Sequence, residues 1–303
     1  MAVYYLVKRN MAIYFKDKAA VFFSLLSVLI VLMLMVVFLG DMNKVELLHA
    51  LESIKGVEST AADETNAQLV ILMWTIAGML AVNSFTVPLT MIGIYIQDKQ
   101  YHKLESFFCA PISRTKLLSG YLIAAILNGM IMCSVTLLLS YLYLLSQGLP
   151  FLTLLEFIQV MGILLICVSV SSCLILLVSQ FLHTNNAWGS LSTIAGTLIG
   201  FLGGIYLPMS MLPEAVQGVL KSLPFLHEAS MLRSVFTDSA IKQMFDGLPS
   251  VAATSYQEMM GIRVNIFDTY LTPAMQIPVL ILCGIIALAA AVYLLKKHTP
   301  FDR

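Results

Sequence analysis

Residues 157–213 read FIQVMGILLICVSVSSCLILLVSQFLHTNNAWGSLSTIAGTLIGFLGGIYLPMSMLP, 57 positions without an Asp, Glu, Lys or Arg. A membrane helix needs about 20 mostly apolar residues, so this stretch is too long for one crossing and sufficient for two. The polar run Gln180-Phe181-Leu182-His183-Thr184-Asn185-Asn186 divides it into helices over 157–179 and 187–207. Four further charge-free stretches, 19–40, 65–97, 117–155 and 269–295, hold one helix each. Their expected positions are 19–40, 69–96, 117–145 and 274–295, with Ser146-Gln147-Gly148-Leu149-Pro150 ending the third stretch's helix. The expectation is an all-α integral membrane protein with six transmembrane helices.

Composition agrees with that reading. Hydrophobic residues make up 59% of the 303 and charged residues 11%, against about 25% charged in a soluble domain. The 17 basic and 17 acidic residues give no net bias toward nucleic acid. A disordered chain, a nucleic-acid-binding domain and an ordinary soluble enzyme are excluded. The first apolar run exceeds the about 7–15 residues of a signal-peptide core and reads as a retained span.

The charges also orient the chain. Lys8, Arg9, Lys16, Lys18, Lys99, Lys103, Arg114, Lys116, Lys296, Lys297 and Arg303 fall in the N-terminal segment, the loop at 97–116 and the C-terminal tail. The segments at 41–68 and 208–273 carry more acidic than basic residues. Basic residues retain loops in the cytoplasm. Both termini, the 97–116 loop and the 180–186 loop are therefore expected inside, in a multi-pass protein of the inner (cytoplasmic) membrane. None of the five cysteines falls in the external segments, so no disulfide framework is expected.

Residues 1–18 place Tyr4, Val7, Met11, Tyr14 and Lys18 at helical spacing, which predicts an amphipathic interfacial helix among lipid headgroups. In the second span, Asn83, Ser84, Thr86 and Thr90 either bond other helices and their own backbone or line a substrate path. In the fifth, Gly189, Thr193, Gly196, Gly200 and Gly204 form one stripe of small residues. It allows close helix approach either within a subunit or between two subunits. The segment 208–273, with candidate helices at 213–222 and 228–245, is expected as a small external helical cap between helices 5 and 6.

Several chemistries are missing from the sequence. It has no Gly-Lys pair and so no phosphate-cradling loop, no HExxH and no GxSxG, and its five histidines are scattered. None of the six expected spans carries an ionisable side chain of the kind that ion-coupled carriers use. Energy for transport would have to come from a partner.

The loop Asp98-Lys99-Gln100-Tyr101-His102-Lys103-Leu104-Glu105-Ser106-Phe107-Phe108-Cys109-Ala110-Pro111-Ile112-Ser113-Arg114 resembles that of ABC-2 type transporter permeases. In that family a charged run leads to a Leu-Glu pair, two bulky apolar residues, then Pro and Arg. The family's usual Gly-Thr is replaced here by His102-Lys103. The Leu-Pro pairs ending at Pro208, Pro213 and Pro224 also look like the family's segment between the last two spans. The resemblance covers the whole chain, 1–303, as one transmembrane domain.

What the resemblance implies is a non-enzymatic permease subunit of an exporter. It pairs with an identical or homologous second permease and sits on ABC ATPase subunits that bind ATP and Mg, with no cofactor in this chain. Residues 97–116 become the coupling loop, with Leu104, Glu105, Phe107, Phe108, Pro111 and Arg114 as the ATPase contact. The N-terminal helix becomes an elbow helix, and the glycine stripe becomes a dimer interface. Few fixed charges in the spans suit amphipathic or hydrophobic cargo: a drug, a peptide antibiotic or a lipid-like metabolite. The rivals are a non-transporting assembly or sensory subunit and an intramembrane enzyme.

Overall fold

The structure, a computed structural model, describes residues 2–34, 44–45, 47–49, 51–52, 60–108, 112–203, 209–266 and 269–297. Its helices in chain order are α1 (Ala2–Lys16), α2 (Lys18–Leu34), α3 (Ala61–Gln100), α4 (Lys103–Phe108), α5 (Arg114–Ser146) and α6 (Leu154–Ser179). They continue as α7 (Asn185–Leu202), α8 (Glu214–Ser222), α9 (Pro224–Met244), α10 (Ser250–Met259) and α11 (Pro273–Lys297). Between α10 and α11, a two-residue antiparallel pair joins β1 (Asn265–Ile266) to β2 (Thr269–Tyr270).

Helices α3, α5, α6 and α11 are long and apolar enough to cross a membrane. They coincide with the expected second, third, fourth and sixth spans. The expected first span, 19–40, is helical through Leu34 in α2, and its remainder lies outside the described residues. The expected fifth, 187–207, is helical through Leu202 in α7.

The polar interruptions that divide the apolar runs supply the helix starts. Thr153 accepts from the Glu156 amide while the Glu156 carboxylate accepts from the Thr153 amide. Thr60 and Asp63 do the same for α3. Ser113 and Thr184 accept from amides in the first turns of α5 and α7. Each cap satisfies a backbone donor that would otherwise be unpaired, worth about 1 kcal/mol.

Helix α3 is the centre of the bundle. It spans 40 residues, about 60 Å, and its apolar window is 89% buried, against 22% for α11. An apolar surface on all sides needs neighbours on all sides, and α5, α6, α7 and α9 supply them. Close approach is built in at Gly129 of α5, where a Cβ would lie 2.6 Å from Val168 Cγ1 and 3.3 Å from Pro88 Cγ. On α11, Val279, Leu282, Ile285 and Ile286 are exposed and form the apolar outer face of a helix at the bundle's edge.

Two expectations change. First, α9 begins at Pro224 and does not lie over the bundle as a cap. It runs along α3: Phe225 meets Phe85 edge-on at 5.0 Å, and the Arg233 guanidinium lies 4.3 Å from the Trp74 ring centre. Trp74 and Phe85 are about 16 Å apart along α3, so α9 reaches the middle of the bundle. The cause is composition. Leu226, Ala229, Met231, Leu232, Phe236, Ala240 and Ile241 are all buried, too many directions for a helix resting on a surface. Helix α8 covers Glu214–Ser222 of the expected 213–222, with Pro213 capping it from just outside instead of opening its first turn.

Second, the face that α1 buries is Leu6, Val7, Asn10 and Tyr14, whereas Tyr4 is 66% exposed. This face lies on α5, where a Cβ at Gly120 would come within 2.7 Å of Leu6 Cβ. The glycine lets the two backbones close.

Candidate functional site

The C-terminal end of α3 carries a buried carboxylate, Asp98, 1% exposed. Arg9 of α1 grips it in a forked contact, Nη1 to Oδ2 at 2.6 Å and Nη2 to Oδ1 at 2.9 Å. Tyr121 of α5 donates its hydroxyl to Oδ2 at 2.6 Å, and Lys103 Nζ stands 3.8 Å from Oδ1. The paired carboxylate raises the Arg9 pKa above its ordinary value, against the opposing effect of burial. Arg9 also lies 5.5 Å from the Phe107 ring centre, at cation–π distance. One arginine thus ties the N-terminal helix to α3 and to α4.

Helix α4 is set by what precedes it. Helix α3 stops at Gln100, Tyr101 caps it, and His102 turns the chain with φ of 54°. That left-handed conformation is the one glycine adopts freely. It is the position at which the resembled family carries glycine. Here the ring Nδ1 of His102 and the Glu105 carboxylate are 2.8 Å apart.

The structure divides the proposed coupling residues. Leu104 is 7% exposed and packs into the chain's own core. It is therefore not an open anchor for a partner, because a six-residue helix lying flat on the bundle must bury one side. Phe107 is half-buried beneath Arg9. Glu105 is exposed. Arg114 donates to the Leu295 carbonyl at 3.3 Å, near the end of α11. The Phe108 side chain and Pro111 lie outside the described residues. The face that α4 and its preceding turn present outward is Tyr101, His102, Lys103, Glu105 and Ser106.

The loop between α6 and α7 joins the same end. Lys99 Nζ donates to the Leu182 carbonyl at 3.0 Å and to the Gln180 carbonyl at 3.4 Å, at the C-terminus of α6. A cation there complements the helix dipole.

The candidate path residues separate into two groups. Asn83 donates to Thr136 of α5 at 2.8 Å, and Ser84 donates to the Ala81 carbonyl; both are buried inside the bundle. Thr86 and Thr90 lie on the open side of α3, with Thr90 donating to the Thr86 carbonyl at 3.1 Å. Gly93 continues that side and meets Trp188 of α7, whose Nε1 would be 2.9 Å from an added Cβ.

Helix α7 leaves Gly189 and Thr193 exposed, and an added Cβ at Gly189 or Gly196 would meet open space. Among the described residues, no neighbouring helix closes on Gly189 or Gly196, and the Thr193 side chain is open. Gly200 is buried, and Gly204 lies outside the described residues.

Two features escaped the sequence. Arg9 and Asp98 are 89 positions apart, so no local pattern links them. Glu228 and Arg233 of α9 are 1% and 0% exposed inside a bundle whose spans are charge-free. A signal existed for Glu228, which shares a helical stripe with Met231, Leu232 and Val235. Among the described residues no group of three or more metal-ligating side chains comes together. No protein-family model matches the chain, and no curated protein matches it at a significant level.

Proposed function

We propose that this chain is the permease subunit of an ATP-driven ABC-2 type exporter, with six spans that include α2 and α7 and with both termini in the cytoplasm. Two permeases would pair through the open stripe Gly189, Thr193 and Gly196, and an amphipathic or hydrophobic cargo would pass between them beside Thr86 and Thr90. A separate ATPase would bind ATP and Mg and dock on Tyr101–Ser106. The supporting observation is α4. It is a short helix at the C-terminal end of the central helix α3, fastened to α1 and α3 through Arg9 and Asp98 and polar on its outward face.

The arrangement suits force transfer. A push on α4 would reach α3 through Asp98 and α1 through Arg9, since a forked ion pair resists reorientation. Helix α3 touches every neighbour that must move. Rigid rocking of packed helices is the ordinary means by which such a push opens a path.

The test is purification of the chain from cells that also express a candidate ATPase subunit. Stoichiometric co-purification with cargo-stimulated ATP hydrolysis is expected. A chain that binds an ATPase but never exports, whatever the cargo, would belong to the assembly or sensory reading instead.

A further inference from the structure

Glu228 sits where α3, α6 and α9 meet, 1% exposed. Ser171 Oγ lies 3.3 Å from its Oε1 and 3.2 Å from its Oε2, and Ser84 Oγ lies 3.4 Å from Oε2. Ser84 Oγ also lies 2.7 Å from the Ala81 carbonyl, and its one hydroxyl hydrogen can serve only one of these two acceptors at a time. With Glu228 protonated, every contact can be made together: Ser171 to Oε1, Oε2–H to Ser84, and Ser84 to Ala81. With Glu228 ionised, Ser84 must leave Ala81 to donate to Oε2.

Among the described residues, no cationic side chain is recorded as a partner of Glu228. The titratable groups within electrostatic reach are thiols, Cys167 of α6 and Cys283 of α11. On α9 itself, His227 Nε2 pairs with the Lys221 carbonyl of α8 at 2.9 Å, and Arg233 is drawn away onto Trp74. On α3, Pro88 has no amide hydrogen and leaves the Ser84 carbonyl without its donor four residues on. An unpaired buried carboxylate here would lose its hydration with nothing in exchange. Ser84 lies close to the midpoint of the charge-free stretch 65–97 and Ser171 close to that of the expected helix 157–179, so the carboxyl is near the middle of both helices.

We propose that Glu228 is a proton-binding site inside the bundle, loaded while α9 is docked against α3 and α6 and emptied to water when α9 moves outward. On emptying, the O–H bond of the carboxyl breaks, its electron pair stays on Oε2, and the proton passes to a water molecule as hydronium. Redocking reverses the step. The movement of α9, and any transport that uses it, therefore depends on pH.

The first test is independent of the exporter reading. Infrared difference spectra of the purified chain in lipid nanodiscs, wild type minus Glu228→Gln, should show a carboxylic-acid C=O band near neutral pH that shifts in heavy water. A carboxylate signature in its place would overturn the proposal. Ser84→Ala keeps the acid but removes the acceptor of its proton. It should move the protonation midpoint to lower pH, and an unmoved midpoint would refute the hydrogen-bond assignment.

The second test rests on the exporter reading. With the ATPase partner, wild-type turnover should change by up to about tenfold per pH unit across the transition. Glu228→Gln should give a flat profile, and an unchanged profile would count against coupling of the site to movement. An acid band without export would leave the proton site standing and remove only the exporter reading.

Discussion

Two carboxyl groups in this chain are equally enclosed, and they are held in opposite ways. Asp98, at the C-terminal end of α3, meets a forked arginine, a tyrosine hydroxyl and a lysine. Glu228, at mid-bundle, meets two serines. Burial removes water from both, and only Asp98 receives charge in return. The first arrangement fastens three helices and fails if either partner is lost. The second is a neutral acid that an amide can replace. The lesson is that exposure alone does not define a buried carboxyl; the donors around it do.

Breaking the fastener should give the largest effect. Asp98→Ala leaves Arg9 half-enclosed without its partner, a change that costs about 3–5 kcal/mol in comparable buried pairs. Thermal unfolding in detergent should show it, and Arg9→Ala in the same background should add little. Additive losses would mean that the two residues act separately.

Next comes Leu104. Because its side chain packs into the chain's own core, Leu104→Ala should cost about 2–4 kcal/mol of stability. Tyr101→Ala, on the exposed face, should leave stability unchanged and weaken ATPase retention on a column. The reverse pattern would mean that α4 rotates to dock. At the crossing of α1 and α5, Gly120→Val places atoms where Leu6 already is. Overpacking of this kind costs about 1–3 kcal/mol, seen as a lower melting temperature.

Glu228→Gln sharpens the comparison from the other side. It should change stability near neutral pH by less than about 1 kcal/mol, as an exchange of one neutral hydrogen-bonding group for another. A loss as large as that of Asp98→Ala would mean that Glu228 is ionised and paired. The smallest effect is expected at His102→Gly. It relieves a left-handed turn worth about 1 kcal/mol while losing the exposed contact to Glu105. A net gain of a few tenths in denaturant titrations is the expected outcome.

The four long apolar helices were readable because charge-free runs register directly in hydropathy; the starts of α3, α5 and α6, capped by Thr60, Ser113 and Thr153, lie earlier than hydropathy placed them because their first turns carry charge. Helix α9 was misplaced for a physical reason. Glu228 and Arg233 lower its hydropathy, and a linear scan cannot see that serines and the Trp74 ring receive them. The orientation of α4 was equally hidden, since six residues are too few for a periodic stripe to separate Leu104 from Glu105 and Ser106. The role of Arg9 depends on a partner 89 residues away. A charge count reads it only as a topology signal.

The central claim is that the outward face of α4 docks an ATPase. The direct measurement is photo-crosslinking from a reactive group at Ser106, with the same group at exposed Val219 of α8 as control, in membranes that contain the candidate ATPase subunit. The account predicts an adduct with the ATP-hydrolysing subunit from Ser106 alone, weakened by Tyr101→Ala. No such adduct from Ser106, or equal adducts from both positions, would contradict it.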